Sequence, residues 1–285
     1  MSRFHRMLIV PDLHGAENKM GQGDVMFSSF TPLLAASPQD TRAALAFGYP
    51  LAHLAYQVGP ALTLRRGSIG QSMRGGVMVL SDAETAHVSG DPEALLAEAM
   101  RECQTRDFQG LVADFEHGAR KGLMEFLRLA DTVLPRKGIT LFVYERCASF
   151  APGARVIVST ALTAGSLANR LQEAIQIHGG GRVCVEIERL ARDIVLPAPQ
   201  GMGDALSRDA LQAILEKRNA TVFFSSELCA HYFTYRDAQG QTHFVLYDDA
   251  ASIRKKLALC QRMGVREAFL LYPEVRDILL DIKEG

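Results

Sequence analysis

From residue 77 onward, short apolar runs alternate with amphipathic stretches. The apolar runs have the length and the β-branched content of buried strands. The stretches between them repeat apolar residues at the three- and four-residue spacing of a helix with one buried face. The pattern therefore predicts strands at 77–80, 110–116, 139–144, 156–159, 183–188, 221–224 and 268–272, with helices between most of them.

Helix starts are marked by residues that cap a helix well. Asp, Ser and Pro are favoured there because a side-chain oxygen can accept from a free backbone N–H, and because proline lacks the N–H that would be unpaired. The predicted starts are Asp91 followed by Pro92, Ser166, Ser207, and either Asp249 or Ser252.

Repeated strand–helix units predict an α/β fold with a parallel sheet and helices outside it. A single (β/α)8 TIM barrel of roughly 250 residues would account for the chain of 285 as one domain, 1–285. Segments 232–235 and 243–247 predict a small β-hairpin insertion before the last helix and strand. The N-terminal part, 1–76, is less legible, with strands expected at 25–34 and 54–64. An open doubly wound sheet is the alternative, but its G-x-G-x-x-G fingerprint does not occur.

Composition and charge exclude several classes of protein. The 31 basic and 32 acidic residues give a net charge of −1, so a nucleic-acid partner is not expected. No apolar run approaches the roughly 18 residues of a membrane helix, and MLIV near the start is too short for a signal peptide. We therefore expect no membrane partner and a cytoplasmic location. Five cysteines favour a reducing compartment. The chain has no tryptophan.

Candidate chemistry lies where polar residues end apolar strands, because barrel active sites form at the carboxyl ends of the strands. Asp114 and Glu116 end one run at i, i+2 spacing, which places both side chains on one face, roughly 6–7 Å apart. Carboxylates at that distance hinder each other's ionisation, and one of them can act as a general acid.

Other strand-end groups are candidates for lining the pocket. Tyr144 ends the run 139–144, and Glu186 and Glu188 alternate with valine and isoleucine on the run 183–188. If the aliphatic face meets the helices, both glutamates point into the barrel, where an uncompensated charge is costly without a function.

Two stretches resemble glycoside hydrolase family 18, the chitinase-like enzymes. The segment 108–116 (FQGLVADFE) looks like the strand-four signature of that family, Phe-Asp-Gly, an apolar residue, then Asp-x-Asp-aromatic-Glu. The segment 231–273, with its YFTY and YDDAASI elements, resembles the bacterial branch of the family linked to spores and peptidoglycan.

The resemblance implies a TIM barrel that hydrolyses β-linked N-acetylglucosamine glycans with retention. The partner would be a short chitooligosaccharide or a peptidoglycan fragment, and no cofactor or metal is implied. In that route the substrate's own acetamido oxygen attacks the anomeric carbon. By resemblance Glu116 is the catalytic acid and Asp114 orients the acetamido group. Gln109 and Tyr272 fall at substrate-side positions of the family pattern. The resemblance also leaves a spore-associated location open.

The sequence departs from the family pattern at four places. Gln109 and Val112 replace the first two signature aspartates. The strand-six stretch 156–161 (VIVSTA) lacks the family's tyrosine and aspartate, and Tyr272 stands where the family has a tryptophan. The second hypothesis is therefore a degenerate barrel that binds a glycan or a protein without turnover.

A remote alternative rests on the segment 11–15 (PDLHG). Asp12 and His14 resemble the first metal-ligand element of metal-dependent phosphoesterases, since Asp and His suit a divalent metal. The further elements of that family do not occur, which favours a plain strand-to-loop turn. The Arg- and Gly-rich segment 65–76 is read either as an anion-binding loop or as a surface loop.

Overall fold

A computed structural model describes residues 30–68, 70, 73–85, 87–117, 120–197 and 203–284. Its strands in chain order are β1 Thr31–Ala36, β2 Leu51–Val58, β3 Leu64–Arg66, β4 Val77–Ser81, β5 Gly110–Asp114, β6 Thr140–Tyr144, β7 Arg155–Ser159, β8 Val183–Ile187, β9 Ala191–Leu196, β10 Asp204–Ala205, β11 Phe223–Ser225, β12 Ala230–Arg236, β13 Thr242–Tyr247 and β14 Glu267–Leu271. The helices are α1 Thr41–Leu45, α2 Pro92–Arg106, α3 Lys121–Val133, α4 Leu167–His178, α5 Arg208–Arg218, α6 Ala250–Arg262, α7 Tyr272–Val275 and α8 Leu279–Glu284.

Eight of these strands form a closed parallel barrel in the order β1, β2, β4, β5, β6, β7, β8 and β14. The ring closes because β1 pairs in parallel with both β14 and β2. Strand β3 lies outside the ring and pairs antiparallel with β2. The predicted (β/α)8 barrel is therefore confirmed, and β5 is its fourth strand, the position that the signature at 108–116 implies.

Side chains of the barrel strands alternate between two apolar layers. The interior of the ring is filled by one set: Leu33, Ala52, Val77, Val79, Val112, Phe142, Ile157, Cys184 and Phe269. The residues between them on each strand face the larger outer layer, where the helices pack. This alternation, with a period of two residues, decides which strand-end side chains reach the barrel mouth.

The helices begin where the sequence indicates. Asp91 and Ser166 accept a backbone N–H at the starts of α2 and α4, and Ser207 does so at α5. At α6 both candidate residues take part, because the Asp249 side chain accepts from the Ser252 N–H and the Ser252 hydroxyl accepts from the Asp249 N–H. This reciprocal arrangement is a capping box, with Ser in the place usually taken by Glu.

The insertion between β8 and β14 is larger than the sequence indicated. The predicted hairpin is present as β12 and β13, and the turn between them contains Gly240 in a left-handed conformation. The hairpin belongs to a five-stranded antiparallel sheet of order β10-β9-β13-β12-β11, and α5 lies between two of its strands in the chain. The sequence pattern missed β9 and β10 because their polar residues mask the alternation of a half-buried strand.

A buried ion pair holds the insertion to the barrel. Lys256 of α6 and Asp248 are both buried, and the Lys256 Nζ lies 2.5 Å from the Asp248 Oδ2. The same carboxylate accepts from the Leu190 N–H at 3.0 Å and from the Ser252 hydroxyl at 2.7 Å. Leu190 follows β8, so the YDDAASI element ties the end of a barrel strand to the end of β13 and to α6.

The N-terminal strands differ in their bounds from the prediction. The expected strand at 25–34 is found as β1, Thr31–Ala36, and residues 25–29 lie outside the described residues. The expected strand at 54–64 is found as β2 and β3, separated by a turn at 59–63. A β-bulge in β2 between His53 and Tyr56 breaks the alternation, which is why the pattern there is hard to interpret.

Candidate active site at the barrel mouth

The inward-facing residues at the carboxyl ends of the barrel strands form the floor of a candidate site. They are found by continuing the inward alternation of each strand to its end. On seven of the eight strands this layer consists of Ala35, Ser81, Asp114, Tyr144, Ser159, Glu186 and Leu271. Asp114 and Glu186 bring two carboxyl groups into one mouth.

Asp114 is the last residue of β5, and Glu116 follows two residues later beyond the strand end. Phe115 between them points outward, is buried, and makes an edge-to-face contact with Phe126 at 6.0 Å between ring centroids. The buried phenylalanine fixes the two carboxylates on the opposite, inward side of the chain. The Glu116 side chain is exposed, as a group that must meet a ligand has to be.

Arg146 holds Asp114 from the next strand end. It lies in a short 3-10 helix, Glu145–Phe150, after β6, and its guanidinium donates to the Asp114 Oδ1 at 3.2 Å and to the Phe115 carbonyl at 2.8 Å. Burial and the neighbouring Glu116 raise the pKa of Asp114, and Arg146 lowers it in part. Asp114 is therefore easier to protonate than an ordinary aspartate.

Tyr144 and Glu186 form a second polar pair across the mouth. The Tyr144 hydroxyl donates to the Glu186 Oε1 at 3.1 Å, passing over β7, whose residue at this level is the small Ser159. Burial raises the pKa of Glu186, the hydrogen bond from Tyr144 lowers it, and Asp114 raises it again. Arg146 stacks on the Tyr144 ring, with its guanidinium carbon 4.6 Å from the ring centroid. Asp114, Tyr144 and Glu186 thus form one connected group.

Glu188 and Glu274 extend the acidic side of the mouth. Glu188 pairs with Arg192 at 3.2 Å, and Glu274 accepts from the Arg189 N–H at 3.3 Å. Burial raises the pKa of Glu274, and the nearby Glu188 raises it further. Glu188 also raises the pKa of Glu186, so the three glutamates interact.

The alternation of β8 bears on the orientation predicted for Glu186, whereas Glu188 lies just beyond the end of the strand. Val183, Val185 and Ile187 belong to the outer layer, and Cys184 to the interior of the ring. Glu186 continues the inward alternation from Cys184, as the prediction required.

The antiparallel sheet carries a row of stacked aromatic rings beside the mouth, here called the aromatic row: Phe223, Tyr232 and Phe244. Successive ring centroids are 5.5 and 5.3 Å apart, with 28° between the planes in each pair. Phe223, at one end, is 53% exposed.

The aromatic row is anchored beside the strand ends that form the mouth. Tyr232 and Phe244 pack against a small apolar cluster that includes Leu190, the third residue after β8. Ala161 and Leu162, which follow β7, pack against the same cluster. The sheet therefore forms an aromatic wall on the β7–β8 side of the mouth.

Two of the predicted substrate-side residues are not brought to the mouth. Gln109 precedes β5 and lies at the opposite, amino end of the barrel strand, five positions from Asp114, or roughly 16 Å at the rise of a strand. Tyr272 is 5% exposed and packs in the outer layer, 6.1 Å from Phe47 between ring centroids. The inward position at the end of β14 is held by Leu271 instead.

Sequence reasoning missed Arg146, the aromatic row, and Asp82, a buried residue directly after β4 whose carboxylate accepts the Glu116 N–H. Arg146 and Asp82 could have been found, because each lies within two residues of a barrel strand's end, the rule that identified Asp114. The aromatic row joins residues from three strands of the insertion, and no spacing along the chain brings those strands together.

Two other predictions concern regions away from this group. Asp12 and His14 lie outside the described residues. In the described part of the segment 65–76, Arg66 pairs with Glu102 of α2 at 2.9 Å, and Arg106 of the same helix donates to the carbonyls of Gly70 and Met73. The segment is thus held against α2. Within the described ranges, no helix has both the length and the apolar character needed to cross a bilayer.

Comparison with known proteins gives matches in structure and not in sequence. No protein-family model matches the chain, and a search of curated proteins finds no match. The spore cortex-lytic enzyme SleL of Bacillus cereus superposes with a TM-score of 0.66 at 19% identity, over 90% of this chain and 75% of that one. A chitinase from Chromobacterium violaceum gives a TM-score of 0.66 at 16% identity, over 90% and 99%. A GH18 chitinase from Cycas revoluta, solved in complex with (GlcNAc)3, gives 0.60 at 14%, over 88% and 98%.

The chain therefore has the fold of the glycoside hydrolase family 18 chitinases and of SleL. The predicted resemblance is confirmed at the level of fold. At identities below 20%, the chemistry of the site has to be argued from this chain's own residues.

Proposed function

We propose that the protein is a retaining glycosidase that hydrolyses a β-linked glycan containing N-acetylglucosamine. One observation carries the proposal: Asp114 ends the fourth strand of a closed barrel and Glu116 lies two residues beyond it, at the mouth where barrel enzymes hold their active sites. The shared fold with chitinases supports the substrate class, since one of them is described with bound (GlcNAc)3.

In the proposed reaction, the Glu116 carboxyl protonates the glycosidic oxygen as the bond to the anomeric carbon breaks. The acetamido oxygen of the same sugar forms the new bond to that carbon, giving a cyclic oxazolinium ion. Asp114 accepts a hydrogen bond from the acetamido N–H and stabilises the positive charge of that ion. Water then attacks the anomeric carbon, Glu116 takes its proton, and the ring reopens to the N-acetyl sugar with net retention.

Residues around Asp114 and Glu116 can orient the reacting groups and contact the sugar. Arg146 keeps Asp114 oriented without crossing the mouth, because its guanidinium also holds the Phe115 carbonyl. Tyr144, Glu186 and Glu188 offer hydroxyl and carboxyl oxygens that can bond sugar hydroxyls. The aromatic row supplies flat apolar surface of the kind that sugar rings stack on, in a chain without tryptophan.

Two glycan sources fit the proposal, chitooligosaccharides and peptidoglycan fragments. The structure of SleL, described as a spore cortex-lytic enzyme, favours including peptidoglycan and a spore-associated setting. Both substrates contain β-linked N-acetylglucosamine, so both belong in the test.

The test measures new reducing ends after incubation with N-acetylglucosamine oligomers and with peptidoglycan fragments. We expect wild-type protein to release them and Glu116→Gln to lose roughly 100- to 10,000-fold in kcat, because the amide cannot protonate the leaving oxygen. Glu125→Gln, an exposed glutamate on α3, is the matched control and should keep wild-type activity. Equal activity of wild type and Glu116→Gln would refute the role of Glu116.

The second candidate is a glycan-binding barrel without turnover. It is favoured by Ser159 and Leu271, which occupy the inward ends of the sixth and eighth strands, where the resemblance implies a tyrosine and a tryptophan. Calorimetric titration with the same oligomers distinguishes the two candidates. Heat of binding together with no reducing ends from wild-type protein supports the binder, and reducing ends support the enzyme.

A further inference from the structure

The chain leaving β5 at Glu116 is held by a buried carboxylate from the neighbouring barrel strand. Asp82 directly follows β4 and is completely buried. Its Oδ1 accepts the Glu116 backbone N–H at 2.7 Å, and its Oδ2 is paired with Arg120. His117 Nδ1 lies 3.6 Å from the same Oδ1. Glu116, His117 and Arg120 therefore all contact the same Asp82 carboxylate.

The hydrogen bond between Asp82 and Glu116 takes the place of a rung in the parallel ladder. The Asp82 N–H donates to the Asp114 carbonyl at 3.2 Å. In a regular parallel pair, the Asp82 carbonyl would next accept from the Glu116 N–H. Here the Asp82 side chain accepts instead, so β4 can turn away at Ala83 while Glu116 stays in register with the barrel.

This arrangement fixes the main chain at Glu116 more firmly than at an ordinary strand end. Phe115 is anchored by its buried ring and by the bond from Arg146 to its carbonyl, and Glu116 by Asp82. Because the hydrogen bond uses an ionised acceptor inside the protein, it is stronger than a neutral one. Only the Glu116 side chain is then free to move into the mouth.

We infer that Asp82 is a positioning residue for Glu116, and that it sets the height at which the Glu116 carboxyl meets a glycosidic oxygen. This inference rests on the proposed function for its catalytic consequence, but the Asp82–Glu116 bond itself is measurable without turnover. A displacement of about 1 Å in a proton donor lowers the rate of the chemical step by up to about 100-fold. Asp82 thus acts on the chemical step and not on substrate affinity.

The kinetic test compares Asp82→Ala with Asp131→Ala. The Asp131 Oδ2 accepts the Gly153 N–H at a distance of 3.0 Å, and Gly153 lies just before the amino end of β7. The control therefore removes the same kind of hydrogen bond, from a backbone N–H to a carboxylate, at the end of the barrel opposite the mouth. We expect Asp82→Ala to lower kcat by roughly 10- to 100-fold with KM changed by less than about three-fold. Asp131→Ala should keep both constants while lowering thermal stability. Wild-type kcat in a folded Asp82→Ala variant would overturn the inference.

A second measurement uses wild-type protein and needs neither turnover nor a folded variant. By hydrogen exchange followed in NMR spectra, the Glu116 amide should exchange at least about 100-fold more slowly than the amide of His117, which has no acceptor among the described residues. Similar exchange rates for the two amides would overturn the inference. If the wild type releases no reducing ends, the proposed function fails, and this exchange ratio alone decides whether Asp82 holds Glu116.

Discussion

Glu186 shows how a single half-buried carboxyl links stability to the candidate site. Burial raises the pKa of Glu186, and the hydrogen bond from the Tyr144 hydroxyl offsets part of that rise. The neighbouring carboxylates of Asp114 and Glu188 raise the pKa further. A group with these opposing influences is typical of a functional pocket, because packing alone does not favour buried charge.

The raised pKa of Glu186 predicts a pH-dependent gain from Glu186→Gln. Below the ordinary glutamate pKa, the carboxyl is protonated in both the folded and unfolded chain, so it contributes no pH dependence. As pH rises towards the raised folded pKa, the unfolded chain ionises first and the wild type loses stability. Glutamine keeps an oxygen for Tyr144 and carries no charge.

We therefore expect the Tm of Glu186→Gln to exceed that of the wild type by about 2–4 °C at pH 7, for a change of roughly 1 kcal/mol in a chain of this size. The difference should shrink to nothing near pH 4. Thermal melts between pH 4 and pH 7 check it, with the exposed Glu125→Gln as the control that shows no such trend. A lower Tm for Glu186→Gln at pH 7 would contradict the predicted cost of its charge.

Among the elements, the insertion depends on the ion pair between Asp248 and Lys256. Both side chains are buried, and the Asp248 carboxylate has three partners among the described residues: the Leu190 N–H after β8, the Ser252 hydroxyl at the start of α6, and the Lys256 ammonium. A buried charge that loses its partner is far more costly than one whose pair is replaced as a whole.

Lys256→Met should lower the free energy of unfolding by about 3–5 kcal/mol, because it leaves the Asp248 charge without a cation in a buried place. The double variant Asp248→Asn/Lys256→Met should recover part of that loss. Urea unfolding measures both. Lys255→Met is the neighbouring control, since Lys255 is exposed and only lies over the Phe224 ring. A Lys256→Met variant as stable as Lys255→Met would show that the pair contributes little.

At the level of the whole molecule, the proposed function assigns the reacting groups to the barrel and an aromatic wall to the insertion. The acidic group of Asp114, Tyr144 and Glu186 stands at the strand ends, and the aromatic row stands on the sheet anchored beside them. Under the proposed function, a glycan lying along this wall would contact both parts at once, so we expect longer chains to gain more contact area than short ones.

Phe223→Ala should raise KM for a hexamer of N-acetylglucosamine roughly three- to ten-fold, the effect of losing one contact of about 1 kcal/mol. KM for a trimer should change less, because a shorter chain has less surface to lay against the aromatic row. Ile177→Ala, which removes another exposed apolar side chain on α4, is the control. Equal effects of Phe223→Ala on both oligomers would argue against the wall.

The barrel fold, and the strand ends that carry Asp114, Tyr144 and Glu186, could be read from the sequence pattern. Strands β4 to β8 are continuous apolar runs, and two of the helices between them begin at the capping residues Asp91 and Ser166. The alternation on 183–188 indicated the inward direction of Glu186. Tyr272 could not be placed, because β14 ends at Leu271 and the short helix α7 turns the next side chain into the outer layer. Gln109 was carried over by resemblance and lies at the wrong end of its strand for contact with the mouth.

The insertion was the part that sequence patterns described least. Its strands are short, and β9 mixes charged and apolar residues. Its sheet is built from pairings across 191–247, which only the folded chain brings together. The aromatic row depends on those pairings, so this surface was not visible in the composition.

The stereochemistry of the first product tests the proposed reaction most directly. Proton NMR of a fresh digest of N-acetylglucosamine tetramer resolves the α and β anomers of the new reducing end before they equilibrate. Retention through the acetamido oxygen predicts that the β anomer appears first with wild-type protein, and that Glu116→Gln forms almost none of it. An α anomer appearing first would contradict the retaining, substrate-assisted route, and a digest without product would contradict the glycosidase itself.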